Sequence, residues 1–143
     1  FEVMLLQELL VRLTAEIEAP APGPPPVRYR LFGHCTEKTL APLSQRQWVE
    51  VFARAGLGLD LVQTGCCGMS GAFGHERVHQ QESKGIWDLS WARWIPDDPA
   101  DRERVLVTGY SCRSQAHRLA QFSPRHPAEV LNEHLRQGTR SSP

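Results

Sequence analysis

Four cysteines are the residues of this sequence with the most distinctive chemistry: Cys35, Cys66, Cys67 and Cys112. No succession of charged, apolar and small residues typical of a secretion signal is evident, and the chain is long enough to bury a core. We therefore expect free thiols rather than a disulfide framework. Thiolates ligate zinc and iron–sulfur clusters, and they are the reactive groups of thiol–disulfide enzymes. The cysteines thus predict a metal centre or a redox site.

Each cysteine motif directly follows a predicted strand. Cys35 follows a strand at 27–32, Cys66 and Cys67 follow a strand at 59–64, and Cys112 follows a strand at 104–108. The carboxyl ends of parallel strands lie along one edge of a sheet, where open α/β sheets bind their ligands. We therefore expect the four thiols to converge at that edge.

The spacing of the cysteines favours an iron–sulfur cluster over a single metal ion. Cys66 and Cys67 are neighbours, and the side chains of adjacent residues diverge, whereas one small tetrahedral ion needs converging ligands. Neighbouring thiolates can bind different irons of one cluster. Zinc sites more often use C-x₂₋₄-C pairs, which this sequence lacks. Zinc, a thiol redox pair and inert core cysteines remain open as alternatives.

Residues beside the cysteines could support the same centre. His34 could donate a hydrogen bond to a cluster sulfur, and Arg113 could offset negative charge. Gly68 follows the cysteine pair, and a glycine lets the backbone approach a bulky group closely. Helices that begin after Cys35 and Cys112 would direct backbone N–H groups at the anionic sulfurs.

Helices are predicted between and after the strands. They lie at 44–56, where Ser44-x-x-Gln47 resembles a capping box, and at 77–85, 112–122 with Ser111 near the N-cap, and 127–138. The tryptophans Trp87, Trp91 and Trp94 form a stripe that is typical of core packing. Alternating strands and helices predict a parallel-sheet, three-layer, Rossmann-like α/β domain.

The ends of the sequence divide into further segments. Apolar residues recur at steps of three and four in 2–17, which predicts an amphipathic helical arm over 1–18. A proline-rich linker follows at 19–26, the cysteine-rich domain occupies 27–138, and a frayed tail is expected at 139–143. The arm either belongs to a preceding module or packs back on the domain. The first residue is Phe, so we expect a piece of a longer protein.

Composition excludes several classes of function. Lysine plus arginine and aspartate plus glutamate each number 16, a balance that argues against a nucleic-acid binder. Hydrophobic residues make up 41%, enough for a buried core. The longest aliphatic run, at 3–6, is far too short for a transmembrane helix. We expect a cytoplasmic protein, peripheral to a membrane at most through the rest of its parent.

Three motifs resemble a known family. They are His34-Cys35-Thr36-Glu37-Lys38, Gly65-Cys66-Cys67-Gly68 and Gly109-Tyr110-Ser111-Cys112. The second resembles the signature of the cysteine-rich CCG-domain family, which includes the cysteine-rich subunit of heterodisulfide reductase and the iron–sulfur subunit of glycolate oxidase. Together the motifs resemble the C-terminal part of single-chain proteins that join an FAD-linked oxidase domain to iron–sulfur domains, D-2-hydroxyglutarate dehydrogenases among them.

The resemblance implies a function and a ligand set. Cys35, Cys66, Cys67 and Cys112 would ligate an iron–sulfur cluster, of the ordinary 4Fe–4S type, that relays electrons between a flavin and an acceptor. The FAD, the flavin domain and a second iron–sulfur domain would lie elsewhere in the parent chain, and this part would not be catalytic alone. Many members end the last motif as C-x-x-C, whereas this sequence has one cysteine there, which disfavours heterodisulfide chemistry. Some relatives hold zinc, so a structural zinc module is the alternative.

Overall fold

The structure is a computed structural model that describes residues 1, 3–17 and 27–140, with side chains as far as 137. Its helices and strands follow in the order α1 Leu6–Leu13, β1 Arg28–Phe32, α2 Cys35–Leu40, α3 Ser44–Arg54, β2 Gly58–Leu61, α4 Gln80–Ser90, α5 Pro99–Arg102, β3 Val105–Val107, α6 Tyr110–Ala120 and α7 Pro127–Arg140. Short 3₁₀ turns lie at Phe73–His75, Arg77–His79 and Ala92–Trp94. The predicted linker and the last three residues of the tail lie outside the described residues.

The strands of the described chain form one parallel sheet with the order β2-β1-β3. Leu31 of β1 pairs with Leu61 on one side and with Leu106 on the other. Beyond β3 the sheet continues through a single parallel bridge between Leu106 and Arg125. The parallel α/β prediction is therefore confirmed, and all the strands point their carboxyl ends to one edge.

Two apolar layers cover the two faces of the sheet, because successive strand residues point to opposite sides. On one face, which we call the α3/α7 face, the core residues are Leu31, Trp48, Val51, Phe52, Leu57, Leu59, Leu106, Val130 and Leu131. On the other, the α4/α6 face, they are Phe32, Val62, Cys67, Met69, Trp87, Trp91, Val105, Val107, Cys112 and Ala116. The arrangement is a three-layer sandwich with helices on both sides.

The tryptophan stripe belongs to the core, as its spacing predicts. Trp87 and Trp91 are buried and stack with ring centroids 5.4 Å apart. Trp91 also meets Phe32 of β1 edge to face. Its indole N–H donates to the Gly65 carbonyl over 3.1 Å, so this part of the core also supports the loop that carries the cysteine pair.

Several predicted helix boundaries are wrong in detail. The N-cap of α3 is Leu43, and Ser44 is a buried residue inside the helix. Its hydroxyl accepts a hydrogen bond from Gln7 and donates one to Glu37, so tertiary partners replace the predicted capping box. Helix α6 begins at Tyr110 with Gly109 as its N-cap, which places Ser111 within the first turn. The helix predicted at 77–85 divides into a 3₁₀ turn and α4.

The N-terminal arm packs back on the domain through α3. The side-chain amide of Gln7 donates to the Ser44 hydroxyl over 2.7 Å, and Gln7 is buried. Arg54 donates to the carbonyl of Val11 over 2.8 Å and to the hydroxyl of Thr14 over 3.0 Å.

Within the described residues, no helix combines the length and apolarity that crossing a bilayer requires.

Candidate metal centre

Cys35 is the first residue of α2, at the carboxyl end of β1. Gly33 and His34 make the turn between them, and His34 caps the helix. The backbone N–H of His34 donates to the Thr108 hydroxyl over 3.0 Å, which joins this turn to the end of β3. Cys35 therefore lies half-buried at the sheet edge, at a helix N-terminus where backbone dipoles favour an anionic sulfur.

Cys66 and Cys67 lie in the loop that follows β2. The loop turns sharply at Gly68, which has a φ of +91°. A Cβ added there would stand 2.2 Å from the Ser83 carbonyl oxygen, so only glycine fits this turn. The turn directs the Gly68 N–H at the sulfur of Cys66 over 3.3 Å. The glycine of the motif therefore both shapes the loop and supplies a hydrogen bond to a thiol.

Cys112 lies in the first turn of α6, and its surroundings pack directly on the Cys35 turn. A Cβ on Gly109 would lie 2.5 Å from the His34 ring, so this glycine allows the two turns to touch. The His34 ring also lies 3.4 Å from the Ser111 hydroxyl, measured from Nε2 to Oγ. His34 thus bridges the two turns by packing and hydrogen bonding.

The four thiols interact with one another across the three loops, and none forms a disulfide. A hydrogen bond from Cys112 is the main cause that lowers the pKa of Cys67 to about 7. The same hydrogen bond, together with burial and the neighbouring thiolates, raises the pKa of Cys112. Burial is the main cause that raises the pKa of Cys66, and the neighbouring thiols of Cys67 and Cys35 raise it further. The structure therefore brings the four predicted residues together.

Lys38 is a charged residue of the site that the sequence did not single out. It follows Cys35 by one helical turn, so both lie on the same side of α2. Its ammonium donates to the Thr64 carbonyl over 2.5 Å. It also interacts electrostatically with the thiols of Cys35 and Cys112. Its signals in the sequence are the helical spacing from Cys35 and its place at the end of the His34–Lys38 motif.

Arg113 has a different partner from the predicted one. Its guanidinium forms an ion pair with Glu129 of α7 over 2.9 Å, and the side chain is 31% exposed. Among the charged groups described at the thiol edge, the cation that interacts with the sulfurs is Lys38.

A polar trio, formed by the buried residues Ser83 and Gln115 and the partly buried Arg118, supports the cysteine-pair loop from the α4/α6 face. Gln115 donates to the Ser83 hydroxyl over 2.9 Å, and Arg118 donates to the side-chain oxygen of Gln115 over 2.8 Å. Arg118 also donates to the carbonyl of Gly74 at the far end of the loop. Ser83 and Gln115 are fully buried, so these hydrogen bonds satisfy groups that water cannot reach.

The donor set fits thiolate ligation in its chemistry. It consists of four free sulfurs, the backbone N–H groups of Gly68 and Met69, and one ammonium group. Across the described residues, no group of three or more histidine, cysteine or acidic side chains is arranged to hold a metal ion. A cluster distributes its thiolates over several irons, whereas zinc needs all its ligands around one point.

Comparison with known proteins finds similar sequences that share one protein name. The chain is 48% identical over 130 residues to the D-2-hydroxyglutarate dehydrogenase of Pseudomonas putida, a match that covers 91% of this chain and 12% of that protein. The Escherichia coli protein of the same name is 48% identical over 102 residues, covering 71% of this chain and 10% of its own length. The Pantoea ananatis protein is 40% identical over 133 residues, with 93% and 13% covered.

Homologues named D-2-hydroxyglutarate dehydrogenase therefore cover most of this chain, while the chain spans only 10–13% of the length of these relatives. No protein-family model matches the chain. No solved structure matches it at a significant level.

Proposed function

We propose that this chain is the CCG-type iron–sulfur domain of an FAD-linked 2-hydroxyacid dehydrogenase. In this proposal Cys35, Cys66, Cys67 and Cys112 ligate a 4Fe–4S cluster. Bound there, the cluster would supply one-electron transfer between a flavin elsewhere in the parent protein and an acceptor. The observation that carries the proposal is the meeting of four free thiols from three separate loops at the carboxyl edge of the sheet.

The relatives support the oxidoreductase part of the proposal. Their name describes a dehydrogenase of a 2-hydroxyacid, and the matched segment contains all the cysteine motifs in at least the longer alignments. That segment is a small part of each relative, and in this proposal the substrate site and the flavin belong to the remainder of the parent protein. The role proposed for this part is electron transfer rather than substrate chemistry.

The residues around the thiols have definite tasks in this proposal. The cysteines bind iron as thiolates, and the N–H groups of Gly68 and Met69 stabilise negative charge on the sulfurs of Cys66 and Cys67. Burial of Cys67 and Cys112 excludes water from half of the site. Cys35 and Cys66 are partly exposed, so electrons would enter or leave on that side.

A thiol–disulfide redox pair is the second candidate, because interaction with Cys112 is the main cause that lowers the pKa of Cys67. Oxidation would join the two sulfurs and pass two electrons and two protons to a disulfide acceptor. Both side chains are at most 2% exposed, which keeps a disulfide substrate away from them. This burial favours the cluster.

The test is anaerobic reconstitution of the chain with iron and sulfide, followed by metal and sulfide analysis and a visible spectrum. We expect about four irons and four sulfides per chain, lost in Cys35→Ser and Cys112→Ser. Ala72→Ser, at an exposed position of the same loop as the cysteine pair, is the matched control and should keep the cluster. One tightly bound zinc would support the structural module instead, and a metal-free chain with a Cys67–Cys112 disulfide would support the redox pair.

A further inference from the structure

The lysines of this sequence, Lys38 and Lys84, occupy opposite kinds of environment. Lys84 is exposed on α4 and forms an ion pair with Asp88 in the next turn. Lys38 is half-buried on α2, and its stem points toward the carboxyl edge of the sheet. Burying an ammonium costs free energy unless partners compensate it, so the position of Lys38 calls for such partners.

One partner of Lys38 is the entrance to the cysteine-pair loop. Its Nζ donates to the carbonyl of Thr64 over 2.5 Å and lies 3.5 Å from the hydroxyl of the same residue. Thr64 is buried and stands just before Gly65 and Cys66. Since Lys38 shares a helix with Cys35, its hydrogen bond ties the element that carries one cysteine to the loop that carries two.

The other groups that act on Lys38 are ionisable side chains near it. Burial lowers its pKa, while the thiols of Cys35 and Cys112 and the carboxylate of Glu37 act in the opposite direction. Glu37 already accepts hydrogen bonds from the hydroxyls of Ser44 and Thr108. Its oxygens are therefore engaged on the side of α3 and β3, while the ammonium donates to the Thr64 carbonyl at the start of the cysteine-pair loop.

We propose that Lys38 is a positioning residue of the thiol edge, which holds the Thr64–Gly68 segment in place and sets a positive charge beside the bound cluster. The charge part of this inference rests on the proposed function. A nearby positive charge stabilises the reduced form of a cluster, because that form carries one more negative charge. Lys38 therefore makes the cluster easier to reduce.

The first experiment measures the midpoint potential of the reconstituted chain by redox titration followed in the visible spectrum. Lys38→Met should shift the midpoint of the clusters that it binds to more negative potential, with the titration normalised to bound iron and sulfide. Lys38→Arg keeps the charge and should retain most of the native potential, and Lys84→Met, the matched control, should not change it. Equal midpoints in Lys38→Met and the native chain would overturn the charge role.

The second experiment uses the metal-free chain and does not depend on any cluster. Hydrogen–deuterium exchange reports the amides of Gly65 and Gly68, which are bonded to the Ser90 hydroxyl and the Cys66 sulfur. Lys38→Met should speed their exchange, and Lys84→Met should not. Unchanged exchange would overturn the positioning role.

The two experiments also separate this inference from the proposed function. If the native chain binds no cluster, the proposed function and the charge role both fail, and the exchange measurement alone decides whether Lys38 holds the loop. If the native chain binds a cluster whose midpoint potential is the same in Lys38→Met, the proposed function stands and the charge role fails.

Discussion

The two faces of the sheet differ in composition and in structural role. The α3/α7 face packs the sheet with aliphatic and aromatic side chains such as Leu31, Phe52 and Leu131. The α4/α6 face includes the thiols of Cys67 and Cys112 in its core, and the polar trio lies under the same layer. Buried polar groups cost free energy unless they are bonded, and the hydrogen bonds of Ser83 and Gln115 offset that cost. One face therefore contributes general stability, whereas the other fixes the positions of particular atoms.

The largest difference between the faces should appear at Gly68, on the thiol side. Gly68→Ala forces a left-handed backbone on an L-residue and a Cβ into the Ser83 carbonyl, so we expect a loss of about 3 kcal/mol or more in the free energy of unfolding. Because the turn also carries the cysteine pair, reconstituted iron should fall with it. Urea denaturation and iron analysis measure the two effects.

Gly71→Ala is the matched control for that substitution. Gly71 also has a positive φ, of 63°, but a Cβ there meets nothing within 4 Å. We expect a loss of only about 1–2 kcal/mol and normal iron binding. Equal effects at the two glycines would show that backbone strain, rather than the contact with Ser83, controls the turn.

Leu131→Ala examines the α3/α7 face. Leu131 is buried on α7, so the substitution should leave a cavity and lower the free energy of unfolding by about 2–5 kcal/mol. Iron binding and midpoint potential should remain native under folding conditions, since no thiol belongs to this layer. A changed midpoint potential in this variant would show that the α3/α7 face also affects the cluster, against the separate roles assigned to the two faces.

Gln115→Leu examines the polar trio. It leaves the Ser83 hydroxyl and the Arg118 guanidinium each without one partner, at an expected cost of about 1–3 kcal/mol. Thermal unfolding gives the stability, and exchange of the Gly68 amide reports the loop above the trio. Gln81→Leu, exposed on α4, is the control and should change neither. If the Gly68 amide exchanged at its native rate in Gln115→Leu, the trio would serve stability alone.

The smallest expected effect is a pH dependence on the α3/α7 face. Burial is the main cause that lowers the pKa of His126, whose Nδ1 accepts the Ala128 N–H over 3.1 Å. The unfolded chain then binds the proton more tightly than the folded one. The stabilisation is full above the ordinary histidine pKa near 6.5 and is lost as the pH falls from there through the folded pKa.

The size of this effect should stay below about 1 kcal/mol, because His126 is only partly buried. Comparing the free energy of unfolding at several pH values in the native chain and in His126→Asn isolates it, since asparagine can accept the same N–H without titrating. An identical pH dependence in both proteins would show that His126 does not contribute to it. The remaining histidines titrate in both and cancel in the difference.

Much of the fold could be predicted from local patterns. The strands are short segments followed by glycine-containing turns, and each lies within three residues of its predicted bounds. Helix α7 begins at Pro127 as expected, because the fixed φ of proline suits a first helical position. The capping predictions at Ser44 and Ser111 failed, since the two hydroxyls meet Gln7 and His34, which lie in distant parts of the chain. Local rules could not include those partners.

The candidate site likewise has one part that the sequence predicts and another part that it does not. That thiols follow parallel strands, and therefore meet at one edge, follows from the sequence, because strand direction and sheet topology fix where each loop begins. Their role as cluster ligands stays a prediction. The partners of the long polar side chains, in contrast, could not be predicted from the sequence. Lys38 contacts Thr64, Arg113 contacts Glu129, and Arg118 contacts Gly74.

The sequence by itself determined the parallel α/β class and the convergence of the thiols, because both depend on short periodic patterns and on chain order. Only the tertiary structure decided which cation faces the sulfurs and which polar groups lie beneath the cysteine pair. Those contacts join residues 26 to 44 positions apart. Such partners depend on how helices pack across the sheet, and a flexible side chain of four or five rotatable bonds can reach several alternatives until that packing is set.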